Sequence, residues 1–163
     1  MIIKDSGERT AFESGAVRDM HESKGRCDLM PLDVVASILG IQDDPDCVLM
    51  GIASFVGTGG IFYLYYALES FRNFWGIPNE TLCLEVAKHF EEGAKKYGEN
   101  NWKKGIPVWS YIDSAVRHYL KWLRGDEDER HDRAFCWNIM CAIWTCENMP
   151  ELNEYRRKEE KIC

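Results

Sequence analysis

Glu85–Trp102, EVAKHFEEGAKKYGENNW, is the stretch on which the reading of the chain turns. At about 100° per residue it predicts a helix with two long faces. Leu82, Cys83, Val86, Ala87, Phe90, Ala94 and Tyr97 form an apolar stripe that faces a core. Beside it, Glu85, His89, Glu92 and Lys96 fall within roughly 40° of one another, while Lys88, Glu91 and Lys95 point to solvent. A row of carboxylate, imidazole, carboxylate and ammonium suits a divalent metal or a phosphate. The same charges also suit plain i,i+4 pairing, worth about 0.2–0.5 kcal/mol per pair. The rest of the chain has to decide between these two readings.

Downstream, Gly98–Pro107 reads as a loop. Its Asn101 and Trp102 could meet a base, and its lysines a phosphate. Val108–Arg124 is the next helix, with Ile112, Ala115, Val116, Tyr119, Leu120 and Leu123 as its core face and Asp113, Arg117 and Lys121 on another. The link that follows carries Asp126, Glu127, Asp128 and Glu129. Asp132–Cys146 is then an almost wholly apolar helix that must sit centrally. Acids at a helix start are favoured by the macrodipole, but capping explains only one of the five carboxylates within 126–132. Packing them near Glu85 and Glu92 would be costly through like-charge repulsion, a cost that a divalent cation removes. Carboxylate oxygens favour magnesium or manganese, and His89 or His131 would bias the choice towards manganese or cobalt.

Upstream, residues 1–30 read as a charged arm, with Lys24 and Arg26 among its cations. Pro31 opens a short helix that Gly40 stops. Asp43-Asp44-Pro45-Asp46 starts an apolar helix over Cys47–Val56. Ile61–Trp75 is aromatic on nearly every face, with more ring surface than one core can hide, which predicts self-association. No alternating strand pattern is present. The expectation is an all-α, compact domain of about five to six helices over 31–149, with a charged tail at 150–163 that frays.

With 163 residues, 45% hydrophobic and 29% charged, the chain is long enough for one real core. No apolar run reaches the ~20 residues of a membrane span, and the start MIIKDSGERT lacks the pattern of a signal peptide. Seven cysteines without a CxxC pair read as reduced thiols of a cytoplasmic protein. A net charge of −7 argues against a nucleic-acid backbone as partner, though not against a small phosphorylated ligand.

EVAKHFEEGAKKYGENNWKKGIP, followed by DSAVRHYLKWLRG and EDERHDRAFCWN, resembles the phage and prophage family of dATP/dGTP diphosphohydrolases. The arm SGAVRDMHESKGRCDLMPLDVV resembles that family's start, so the likeness runs from Phe12 to Met149. The family is similar to the all-α nucleoside triphosphate pyrophosphatases of the MazG type, which hold magnesium on an EExxE and ExxD helical pair. Glu129-Arg130-His131-Asp132 matches ExxD. The EExxE half is not matched, because Glu91-Glu92 is followed by Gly-Ala-Lys-Lys.

The resemblance implies hydrolysis of dGTP or dATP to monophosphate and pyrophosphate, by a dimer or larger homo-oligomer in the cytoplasm (the host's, if phage-encoded). It implies metal ligands among Glu85, His89, Glu92, Glu129, His131 and Asp132, with Glu92, Asp128 and Asp132 in catalysis. Lys24, Arg26, Lys96 and Arg117 are the expected phosphate cations, and Asn101 and Trp102 the base contacts. The alternative expectation is a phage protein that binds and sequesters a nucleotide signal without catalysis.

Overall fold

The computed structural model describes residues 9–19, 24–40 and 46–156. Six α-helices follow in order: α1 (Leu32–Leu39), α2 (Cys47–Thr58), α3 (Phe62–Trp75), α4 (Asn79–Tyr97), α5 (Val108–Arg124) and α6 (His131–Asn148). The fold is all-α apart from two three-residue strands, β1 (Arg9–Ala11) and β2 (Val17–Asp19). They pair antiparallel with Thr10 opposite Arg18. Strands this short show no alternation in the sequence, which is why the hairpin was not expected.

Helix α6 is buried along nearly its whole length, from His131 to Cys146, and is the centre of the packing. α5 runs back along it, because the six-residue link 125–130 is too short for any other course. α4 covers the same helix from another side, and α2 and α3 form a second packed pair that reaches α6 through α3. Gly51 lets α2 and α3 approach closely: a Cβ there would stand 3.0 Å from the Tyr63 carbonyl oxygen and from Ala67 Cβ. The two halves meet at Phe71, whose ring lies 4.6 Å from Phe135 and 4.8 Å from Trp122, centroid to centroid.

Local chemistry sets the ends. Asp46 caps α2, its Oδ1 accepting from the Leu49 N–H at 2.9 Å, while its Oδ2 accepts from the Tyr119 hydroxyl at 2.6 Å. One side chain thus starts α2 and ties it to α5. The preceding Asp43-Asp44-Pro45 lies outside the described residues. Over 150–156 the expected fraying does not occur. Tyr155 packs edge-on against Phe55 at 5.4 Å, and Glu154 accepts from the Trp109 N–H.

The buried edge of α4 is narrower than its periodicity suggested. Leu82, Val86 and His89 are buried, but Cys83 and Ala87 are exposed. Phe90, Ala94 and Tyr97 are half-buried, with Phe90 against Trp102 and Tyr97 bonded to Asp19, so the stripe is covered except at Cys83 and Ala87. On α3, Leu64, Ala67 and Phe71 are buried while Phe62, Tyr65, Tyr66 and Phe74 remain exposed. Among the described residues no helix is long and apolar enough to cross a membrane.

Phe71→Ala removes the ring at which the two helical layers meet. The expected loss is about 3–5 kcal/mol of unfolding free energy, measured by urea denaturation. A loss below ~1 kcal/mol would mean that the layers are held together elsewhere.

Candidate functional site

The α5–α6 pair brings together side chains that lie apart in the sequence. His118 on α5 faces His131 at the start of α6, with the two Nδ1 atoms 2.9 Å apart. Glu129, in the link, places its Oε1 3.7 Å from His118 Nδ1 and 3.8 Å from His131 Nδ1. On the far side of the His131 ring, Nε2 is 2.8 Å from Asp128 Oδ1. If Nε2–H donates to that carboxylate, the Nδ1 lone pair is left facing His118 and Glu129. A carboxylate behind a ligating histidine is the usual way to fix its tautomer. His118, Glu129 and His131 offer one ligand atom each within 4.8 Å of one another, and Asp126, Asp128 and His131 do the same.

The electrostatics fit this arrangement. Burial, and next the neighbouring His131, hold His118 well below its ordinary pKa, so the ring stays neutral as a ligand must. The Asp128 carboxyl is held well below the usual range, first by its bond to His131 and also by Lys121. Two imidazole nitrogens and a carboxylate with open space beside them make a donor set that a divalent transition metal accepts.

That open space is a cavity of about 660 Å³ between α4, α5, α6 and the β2 strand, within the range of small-molecule sites. His118, Lys121, Asp128 and Glu129 line one part of it, and Phe90, Trp102, Ile106 and Trp137 another. Trp102 stands edge-on to Phe90 at 5.3 Å and to Trp144 at 5.0 Å, which fixes its ring in the wall.

The other residues singled out in the sequence take distinct places. Glu85, His89, Glu92 and Lys96 do share one face of α4, and Lys88, Glu91 and Lys95 lie on the exposed side. The first row meets arginines on α6. Arg130 Nη1 is 3.6 Å from Glu85, Arg133 Nε is 3.8 Å from Glu85, and Arg133 Nη2 is 3.6 Å from Glu92. Asp132 is engaged by Arg130 in a two-point contact at 2.6 and 3.0 Å and accepts from the Arg133 N–H. Glu85, Glu92, His89 and Asp132 belong to neither ligand cluster. The cations that relieve these acids are the Arg130 and Arg133 guanidiniums, with the Lys88 ammonium also on Glu85.

Several expected nucleotide contacts hold the arm in place. Asn101 Oδ1 accepts from the Val17 N–H and its Nδ2 donates to the Val17 carbonyl, as a neighbouring strand would. Lys96 donates to Asp19 at 2.9 Å. Arg117 donates to buried Asp113 and to the carbonyls of Lys24 and Gly25. Arg26 lies 3.9 Å over the Trp109 ring and pairs with Asp28. Lys24 lines the cavity and is exposed.

Cavity residues that were not read as site residues from the sequence include His118, Lys121, Trp137 and Arg18. The signal for His118 was the polar row Ser114, His118 and Lys121 at helical spacing on α5, beside a face judged by its apolar members alone. Arg18 was legible only as part of the arm's charged patch with Asp19, Lys24, Arg26 and Asp28, since a three-residue strand positions it.

These features define an all-α domain with a histidine–carboxylate cluster opening onto a nucleotide-sized cavity. The chain belongs to the dATP/dGTP diphosphohydrolase family: the model of that family's N-terminal region matches residues 73–155, a little over half of its length. The match includes His118 and every residue of the acidic link. No curated protein and no solved structure matches the chain.

His89 supplies a pH test. Burial first, then Arg133 and Arg18, lower its pKa to about 4 from an ordinary 6.5. The unfolded chain therefore binds this proton more readily than the folded one. The associated stability is present above pH 6.5 and is lost as pH falls towards 4, on the order of 3 kcal/mol. Urea unfolding of the wild type should lose more stability across that window than His89→Gln, with His118 contributing equally to both. Parallel slopes would show that His89 is not held neutral.

Proposed function

We propose that the protein hydrolyses purine deoxynucleoside triphosphates, dGTP and dATP, to the monophosphate and pyrophosphate with a divalent metal ion. The observation that carries this reading is the convergence of His118, Glu129 and His131 at the edge of the cavity, in a chain of this family. An ion held there supplies charge for the phosphate oxygens and acidifies water. Two imidazoles in a set of three favour manganese or cobalt over magnesium, which prefers oxygen donors.

The chain's own groups orient the reaction. A water oxygen bonds to the α-phosphorus and gives up its proton to solvent, the bond to the bridging oxygen breaks, and pyrophosphate leaves with that oxygen. Asp128 holds the His131 ring, and a carboxyl kept that acidic is a weak base, so its role is orientation. Lys121, 3.4 Å from Asp128, stands beside the cluster, and Lys24 lines the same cavity; both suit the charge that builds on the leaving pyrophosphate. Trp102 and Trp137 offer ring faces for a base. Glu85, Glu92 and Asp132 act through Arg130 and Arg133, seating α4 against the start of α6. The six described cysteines are not in disulfides, and we place the reaction in the cytoplasm, the host's where a phage encodes the protein.

Purified protein incubated with dGTP or dATP and manganese should release monophosphate. His118→Ala and Glu129→Gln should each lower turnover at least a hundredfold with an unchanged circular-dichroism spectrum, and Glu91→Gln should leave it unchanged. Undiminished turnover in His118→Ala would remove the cluster from the reaction. Tight retention of intact nucleotide by the wild type, without monophosphate release, would make this a nucleotide-binding protein instead.

The exposed rings of α3 support assembly as a homo-oligomer. Phe62, Tyr65, Tyr66 and Phe74 leave one helix face uncovered. Light scattering at micromolar concentration should report a dimer or larger species, and Phe62→Glu with Phe74→Glu should dissociate it. A monomeric wild type rejects the assembly.

A further inference from the structure

Asp113 and Arg117 form an ion pair one turn apart on α5, with Arg117 Nη2 2.5 Å from Asp113 Oδ2. Asp113 is fully buried, and a charge taken out of water needs close partners. The pair extends those contacts to the backbone of the arm. Asp113 Oδ1 accepts from the Cys27 N–H at 2.5 Å. Arg117 Nη2 donates to the Gly25 carbonyl at 2.9 Å, and Nη1 donates to the Lys24 carbonyl. Both terminal nitrogens of Arg117 are thus engaged on protein groups, although the side chain also lines the cavity.

What the pair holds is the course of the chain at Lys24. Gly25 takes a φ of +77°, in the left-handed region that glycine adopts without strain. The chain turns there, and the side chains before and after it go to different places. Arg26 pairs with Asp28 and lies over the Trp109 ring, while Lys24 lines the cavity. Arg117 directly precedes His118 in α5, and Lys121 follows His118 in the same wall. The backbone of Lys24 is therefore fastened to a residue about 6 Å of helix rise from Lys121.

We infer that the Asp113–Arg117 pair is a positioning device for Lys24. It fixes the backbone from which that ammonium reaches the β- and γ-phosphates, and its own charges make no contact with substrate. A lysine carries its charge on a flexible four-carbon stem, and ordering such a group on an unanchored chain costs conformational entropy. Anchoring the backbone at Lys24, Gly25 and Cys27 removes part of that cost before a ligand arrives. Only a planar fork meets two successive carbonyls and a carboxylate at once, so a lysine at 117 keeps the ion pair but loses the carbonyls. Charge balance agrees with this division of roles: Asp113 neutralises Arg117, so the pair adds no net charge to the wall, and Lys24 brings its own.

The inference rests on the nucleotide reading of the cavity, and its test is a double-variant cycle on the full-length protein. Calorimetry with manganese present measures binding of dGMP and of the α,β-imido analogue of dGTP, which carries the β- and γ-phosphates and is not cleaved. Lys24→Met should reduce the analogue's advantage over dGMP at least tenfold. Arg117→Lys should reduce it at least fivefold while changing dGMP binding less than threefold. The two changes together should lose no more than twofold beyond Lys24→Met alone, because one residue acts through the other. Losses that multiply in the double variant overturn the inference, and so does an unchanged advantage in Lys24→Met. Arg117→Lys weakening both ligands alike overturns it too, since that is the mark of a merely structural anchor. Asp113→Asn takes the place of Arg117→Lys in the cycle where that variant does not fold. Binding of neither ligand by the wild type overturns the nucleotide reading and the inference with it. The expected cycle in a protein that does not hydrolyse dGTP overturns the proposed reaction alone.

Discussion

The packing of α5 along α6 is the contact on which the rest of the structure depends. α6 has almost no polar face to offer water, with Phe135, Ile139, Cys141 and Ala142 buried beside Asn138 and Thr145. Each full burial of a large apolar side chain is worth about 1.5–3 kcal/mol, so the helix must be covered all round. α5 supplies Tyr111, Ile112, Ala115, Val116 and Tyr119, all fully or almost fully buried. The short link between the two helices fixes their direction and brings the last turns of α5 beside the first turn of α6. The ligand cluster is a consequence: His118 and His131 meet because the hydrophobic pairing leaves them no other place.

The same pairing explains why the acidic link tolerates its charge. Asp126 is bonded by Arg124 in a two-point contact, Asp128 by His131 and Lys121, and Asp132 by Arg130. Glu129 is left with two imidazoles and no strong cation at hydrogen-bonding distance among these contacts. The surrounding charge has been matched elsewhere, which leaves that carboxylate open to a cation. The repulsion argument made from the sequence expected a divalent cation between these acids and Glu85 and Glu92. It counted acids without counting Arg130 and Arg133, which lie next to Asp132 in the chain and fall between it and α4.

Most of the helix layout was legible because periodicity and punctuation agree. Gly40, Gly98 and Gly125 each stand at a helix end, and Val108–Arg124 is bounded by Pro107 and Gly125 as read. The face of α4 that carries Glu85, His89 and Glu92 was legible from helical geometry alone. What that face meets was not, since a single helix gives no information about its partner's register. His118 was obscured for a related reason: one polar residue beside a strong apolar face looks like a helix edge until the second histidine is placed 2.9 Å away. The β1–β2 hairpin is held from outside by Asn101, Lys96 and Tyr97, and contacts 77 to 84 residues distant leave no local pattern.

The two walls of the cavity differ in how they are held, and that difference bears on what each does. The α5–α6 wall is a packed core with its ligand rings bonded to one another and to Asp128. The α4 wall meets α6 through charges 3.6–3.8 Å apart, and Glu85 Oε2 and Arg133 Nε are both buried without a hydrogen-bond partner. Separated buried charges contribute little net stability, and each unsatisfied group costs about 1–3 kcal/mol. α4 is thus the less firmly seated side, with a buried edge of only Leu82, Val86 and His89. The cavity therefore carries its histidine–carboxylate cluster on the rigid pair and has its opposite wall on the looser helix.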